Sequence, residues 1–83
     1  MVTPESIRLN IAQSMATEHL SVSGDDGIHF EAVVVSDAFA GKSRVQRHQL
    51  VYQTLGDRMR QDIHALSMKT YTPEEWQKLQ CKN

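Results

Sequence analysis

At 83 residues, with 40% hydrophobic and 23% charged side chains, the chain reads as one ordinary soluble domain spanning 1–83. A formal charge of −1 gives no global field to draw it to nucleic acid, so a nucleic-acid role must rest on a local patch. The single cysteine, Cys81, excludes an internal disulfide and an all-cysteine metal cage within one chain.

No apolar run approaches the ~20 residues needed to cross a bilayer, and the start lacks a basic-then-apolar leader pattern. The expectation is a cytoplasmic protein without a membrane partner. Thr3-Pro4-Glu5 reads as a helix start, with Thr3 as cap, Pro4 in the first turn and an early acid. Ile7, Ile11 and Met15, with Ala12, continue it as an amphipathic helix over 4–17. His19 to Ser23 alternates at period two and runs into Gly24-Asp25-Asp26-Gly27, which is hairpin-turn chemistry. Residues 28–36 form the return strand, whose Val33-Val34-Val35 run predicts burial on both faces. Phe30 is expected to point inward and His29 outward.

Residues 37–42 are a loop. Ser43 then caps a helix whose apolar face is read as Val45, Val51 and Leu55, with His48 or Tyr52 beside them. Gly56 interrupts that helix, and 57–61 form a short second helical turn. A third strand covers 63–70, its alternation imperfect: Ile63, Ala65 and Met68 stand against His64, Leu66 and Ser67. Thr72-Pro73-Glu74-Glu75 is a capping box that opens a last helix bearing Trp76 and Leu79. The order α-β-β-α-α-β-α predicts an α+β two-layer sandwich, with a three-stranded mixed sheet and helices on one face.

The densest chemistry lies at the strand-to-helix junction. Between Lys42 and Arg60, five cations (Lys42, Arg44, Arg47, Arg58, Arg60) face one acid, Asp57, leaving +4 there and −5 elsewhere in a chain of net −1. Arg44, Arg47 and His48 lie at spacings of three and four, on one helix face beside the N–H groups of the helix start. Three readings stay open: a solvated surface, a dock for an acidic or anionic partner such as glutathione, or a phosphate-binding face. Against the last, Gly41-Lys42-Ser43-Arg44 carries only the first glycine of a Gly-X-X-Gly grip, and no aromatic residue interleaves with the cations. Enzyme readings are poor. No nucleophile neighbours a base, and Gly41-Lys42-Ser43 matches only the tail of a phosphate loop.

Residues 39–51 together with Ile63-His64-Ala65-Leu66-Ser67-Met68 and the Thr72-Pro73-Glu74-Glu75-Trp76 cap resemble the BolA family. These are small stress-response and iron–sulfur-linked proteins, and the likeness is nearest the short bacterial BolA/YrbA branch. It implies a type II KH-like fold and a non-catalytic adaptor that binds a monothiol (CGFS) glutaredoxin. With glutathione, the pair would share a [2Fe–2S] cluster for iron–sulfur trafficking or iron and redox sensing. The free chain is expected to be a monomer or weak homodimer that holds no cluster.

His64 occupies the position of the family's iron-binding histidine. The second ligand is expected in the loop between the first two strands, but residues 24–28 contain neither histidine nor cysteine, which leaves His29 at the loop's edge. His19 and His48 read as surface or packing residues, and Cys81 as an incidental thiol. The same family likeness implies an alternative. A DNA-binding transcriptional regulator would use Lys42, Arg44 and Arg47 on a helix-turn-helix-like surface, and His48, Arg58 and Arg60 complete the candidate partner- or nucleic-acid-binding set.

Overall fold

A computed structural model of the protein describes residues 3–24, 29–56 and 65–81. Helix α1 (Pro4–Ser14) is followed by β1 (His19–Ser23) and β2 (His29–Val35). A 3-10 turn (Asp37–Phe39) leads to α2 (Arg44–Leu55), then β3 (Ala65–Tyr71) and α3 (Pro73–Gln80). The expected helical turn at 57–61 lies outside the described residues.

The sheet has the order β1-β2-β3, with β1 antiparallel and β3 parallel to β2. Period-two alternation divides its side chains cleanly. Phe30, Ala32 and Val34 of β2 face Ile7 and Ile11 of α1 and Val51 and Leu55 of α2, with Phe39 closing the cluster. Leu20, Val22, Leu66 and Met68 pack against the same cluster from the outer strands. Each such fully buried aliphatic or aromatic side chain contributes roughly 1.5–3 kcal/mol, so a core this small depends on every member.

Trp76 covers one end of the other face. His19, Val35 and Tyr71 stand in register across the three strands. Strands lie about 4.8 Å apart, which places the two outer side chains roughly 10 Å from each other. The Trp76 ring centroid is 4.8 Å from that of His19 and 5.5 Å from that of Tyr71. The indole therefore bridges the row, and Val35 beneath it is 0% exposed although it lies away from the main cluster. Val34 and Val35 are buried as expected, while Val33 is only half-buried.

Four expectations need correction. Helix α1 ends at Ser14, three residues early, because Met15 is already extended. The chain must straighten there to deliver the Glu18 N–H to the Val35 carbonyl and the Ala16 carbonyl to the buried Ser36 hydroxyl. Ala12, one residue past Ile11, is rotated off the inner stripe and is exposed. Val45 is 65% exposed for the same reason: it precedes Val51 by six positions, about 240° around the helix. In β3, Leu66 shares the core face with Met68, while Ser67 and Lys69 are exposed.

Gly24 is the tight point of the hairpin. A Cβ there would stand 2.6 Å from the His29 carbonyl oxygen and 2.8 Å from a Phe30 ring carbon. Gly24→Ala should cost about 1–3 kcal/mol in urea unfolding, as overpacking of a filled site does. An unchanged midpoint would show that the hairpin arms are not closed this tightly.

Candidate functional site

The helical period draws an arginine inward. Val51 and Leu55 define the buried stripe of α2, and the residue four places before Val51 is Arg47. Its side chain is only 14% exposed. Burial is compensated on every side of the guanidinium. Nε donates to the Lys42 carbonyl at 3.0 Å, and Nη1 donates to the Thr70 carbonyl at 3.4 Å and to Glu75 Oε1 at 2.8 Å. Nη2 donates to Glu75 Oε2 at 3.3 Å, and the guanidinium carbon lies 6.0 Å from the Phe39 ring centroid.

Glu75 is itself fixed, because Oε1 also accepts the Thr72 N–H at 2.9 Å in the capping box of α3. The Arg47 hydrogen bonds first, and the Thr72 N–H second, hold its carboxyl down at about 2, from an ordinary 4.5. Arg47 thus joins the start of α2 to the end of β3 and the start of α3.

Around this tie runs an open groove of about 820 Å³. Lys42 lines it from the loop before α2, Arg44 and His48 from α2, Met68 and Lys69 from β3, and Lys78 and Leu79 from α3. Five cations and one carboxylate line it in all, and that carboxylate is engaged by Arg47. Lys42, Arg44 and Lys69 make no ion pair among the described residues, and Lys78 has only an exposed 3.8 Å contact with Glu74. His48 adds no full charge near neutrality, since burial and then the Arg44 charge lower its pKa. At the helix start, Ser43 accepts the Gln46 N–H and the Gln46 side chain accepts the Ser43 N–H. Two of the N–H groups expected to add potential there are therefore already satisfied.

Of the residues singled out from sequence, Lys42, Arg44, Arg47 and His48 converge on this groove. Arg58, Arg60 and His64 lie outside the described residues. His29 is exposed at the first position of β2, at the opposite end of the β2–β3 ladder, where its Cα partner is Ala65. Ala65 follows His64 in the chain. His19 packs, stacked on Trp76, and Cys81 is exposed at the end of α3. No group of three or more His, Cys, Asp or Glu side chains converges among the described residues. Lys69, Lys78 and the Arg47–Glu75 pair were missed from sequence. The signal for the pair was present in the four-residue step from Arg47 to Val51.

A three-stranded mixed sheet with a hairpin, a parallel third strand and a basic helix start defines an α+β module rather than a barrel or a bundle. The chain matches the family profile described as BolA-like protein over residues 2–75. It is similar to a bolA protein homologue from Coxiella burnetii, with 47% identity and a TM-score of 0.82 over 93% of this chain and 99% of that one. It is 53% identical over 51 residues to the DNA-binding transcriptional regulator BolA of Vibrio cholerae, covering 61% of this chain and 48% of that protein. It is 52% identical over 54 residues to the chloroplastic/mitochondrial SufE-like protein 1 of Arabidopsis thaliana, covering 64% of this chain and 15% of that protein. The chain therefore belongs to the BolA family. The matches span about half of the Vibrio regulator and a small part of the Arabidopsis protein.

A carboxylate whose pKa is lowered on folding stabilises the protein above its unfolded value and loses that effect as pH falls toward its folded value. Relative to Glu75→Gln, which preserves the helix cap, the protein should keep a constant stability advantage from neutral pH down to about 5. That advantage should shrink below 4.5 and vanish near pH 2. Urea midpoints of the two proteins across that range would measure it, and a pH-independent difference would show that the ion pair contributes nothing.

Proposed function

We propose that this protein is a non-catalytic BolA-type adaptor that docks a monothiol glutaredoxin and, with glutathione, shares a [2Fe–2S] cluster through His64 and His29. Family membership supports the reading. The observation that carries it is the ladder register, which sets His29 against Ala65, the residue after His64. A shared centre is the reading in which this chain supplies imidazole and a partner supplies thiolate, since its single thiol, Cys81, lies at the end of the last helix. One or two imidazoles supplied from here need thiolates from elsewhere to complete the four ligands of a [2Fe–2S] cluster.

When held, such a cluster supplies one-electron chemistry at a potential raised by imidazole in place of thiolate. The chain's own contribution is an imidazole nitrogen offered from the start of the β2–β3 ladder. A cytoplasmic location accords with this reading. Among the described residues no helix is long and apolar enough to cross a membrane.

Mixing the protein with a cluster-loaded CGFS glutaredoxin should change the visible absorption and circular dichroism. His64→Ala should abolish the change and His29→Ala should weaken it. An unchanged spectrum alongside a stable complex would leave a metal-free docking module.

A second reading has its own support. Lys42 and Arg44 lack ion-pair partners among the described residues, and the Vibrio relative bears the name of a DNA-binding regulator. If Arg44 touches phosphate, Arg44→Ala should flatten the salt dependence of duplex binding by about one contact. Absence of binding at low salt would end this reading.

A further inference from the structure

The third strand is an edge. Among the described residues it pairs with β2 on one side only, and the basic groove is lined by its last four residues. Along a strand, the N–H and C=O of successive residues point alternately to the two sides. The Tyr71 carbonyl accepts the Ser36 N–H, at the end of β2, so Tyr71 faces inward. The Thr70 carbonyl accepts from Arg47 on the outer side. It follows that Met68, two residues before Thr70, also directs its N–H and C=O into the groove, and that Leu66 does so further along the edge. The groove thus combines a row of backbone donors and acceptors with Lys42, Arg44 and Lys69, which make no ion pair among the described residues, and with apolar surface at Met68 and Leu79.

We infer that this edge takes an extended acidic segment of a partner polypeptide, which adds to β3 as a fourth strand. Backbone hydrogen bonds would set its register, and its carboxylates would meet the cations that line the groove: Lys42 and Arg44 at the start of α2, and Lys69 and Lys78 on β3 and α3. Two alternatives fit less well. A second copy of this chain would bring Lys69 and its neighbours against an identical set of cations, which costs affinity. Nucleic acid would meet the cations with phosphate and the outward carbonyls with base N–H groups, but its base edges do not repeat at the two-residue spacing of a strand. Another extended backbone repeats donor and acceptor at that spacing. The proposal does not call on His29, which stands at the opposite end of the ladder.

The test uses the full chain and a capped decapeptide of alternating glutamate and valine, followed by amide NMR. Binding should slow amide exchange at Met68 and Thr70. It should weaken at least tenfold for the same peptide N-methylated at alternate residues, and at least tenfold for Arg44→Glu with Lys69→Glu. A single-stranded oligothymidylate of equal charge should compete poorly and leave Met68 exchange unchanged. Equal binding of the N-methylated peptide, no protection at Met68, or stronger binding of the oligonucleotide would overturn the proposal. His64→Ala should bind the peptide as the natural chain does, so failure of cluster sharing and failure of strand addition are told apart.

Discussion

The molecule is organised around one buried guanidinium. A small α+β domain with a parallel outer strand has to bring three chain segments together at one corner. These are the start of the second helix, the end of the last strand and the start of the last helix. Apolar contact alone does not orient such termini, because each presents unpaired backbone groups. Arg47 resolves this by donating to Lys42 and Thr70 carbonyls and to the Glu75 carboxylate at once, with its plane near Phe39. An exposed ion pair contributes little. This one is anchored by a largely buried cation and a carboxylate already fixed by a helix cap, so geometry as well as charge is specified.

That corner also explains why the basic cluster is not uniform. From sequence, Lys42, Arg44, Arg47 and His48 look equivalent, four nitrogen-bearing side chains within seven residues. In space they divide. Arg47 is structural mortar, burial and Arg44 lower the pKa of His48, and Lys42 and Arg44 line the groove without an ion pair among the described residues. Lys69 and Lys78, distant in sequence, complete the field. His29 stands where the β2–β3 ladder begins, and the cation-lined groove lies where it finishes. In the proposed reading, a partner gripped at the groove does not crowd a donor at the other end.

Much of the fold was legible because its signals are local. The Thr3, Ser43 and Thr72 caps, the hairpin and the alternation of β2 are each encoded within a few residues. The failures share a cause too. Val45 and Ala12 were placed inside because they are apolar, when the 3.6-residue period set by Val51 and by Ile7 with Ile11 turns them outward. Leu66 was displaced by reading hydrophobicity across β3 residue by residue instead of at period two. The groove was invisible for a different reason. It joins α2, β3 and α3, and nothing in a one-dimensional pattern says that Lys69 and Lys78 meet Arg44.

The arrangement around Trp76 gives the protein an optical property. Its one tryptophan lies between an imidazole on the first strand and a phenol on the third. Those strands share no hydrogen bonds, so the indole is their only described bridge on that face. Emission from this chain consequently reports whether the last helix is seated over the sheet. Seating and unseating can be followed in the unlabelled molecule.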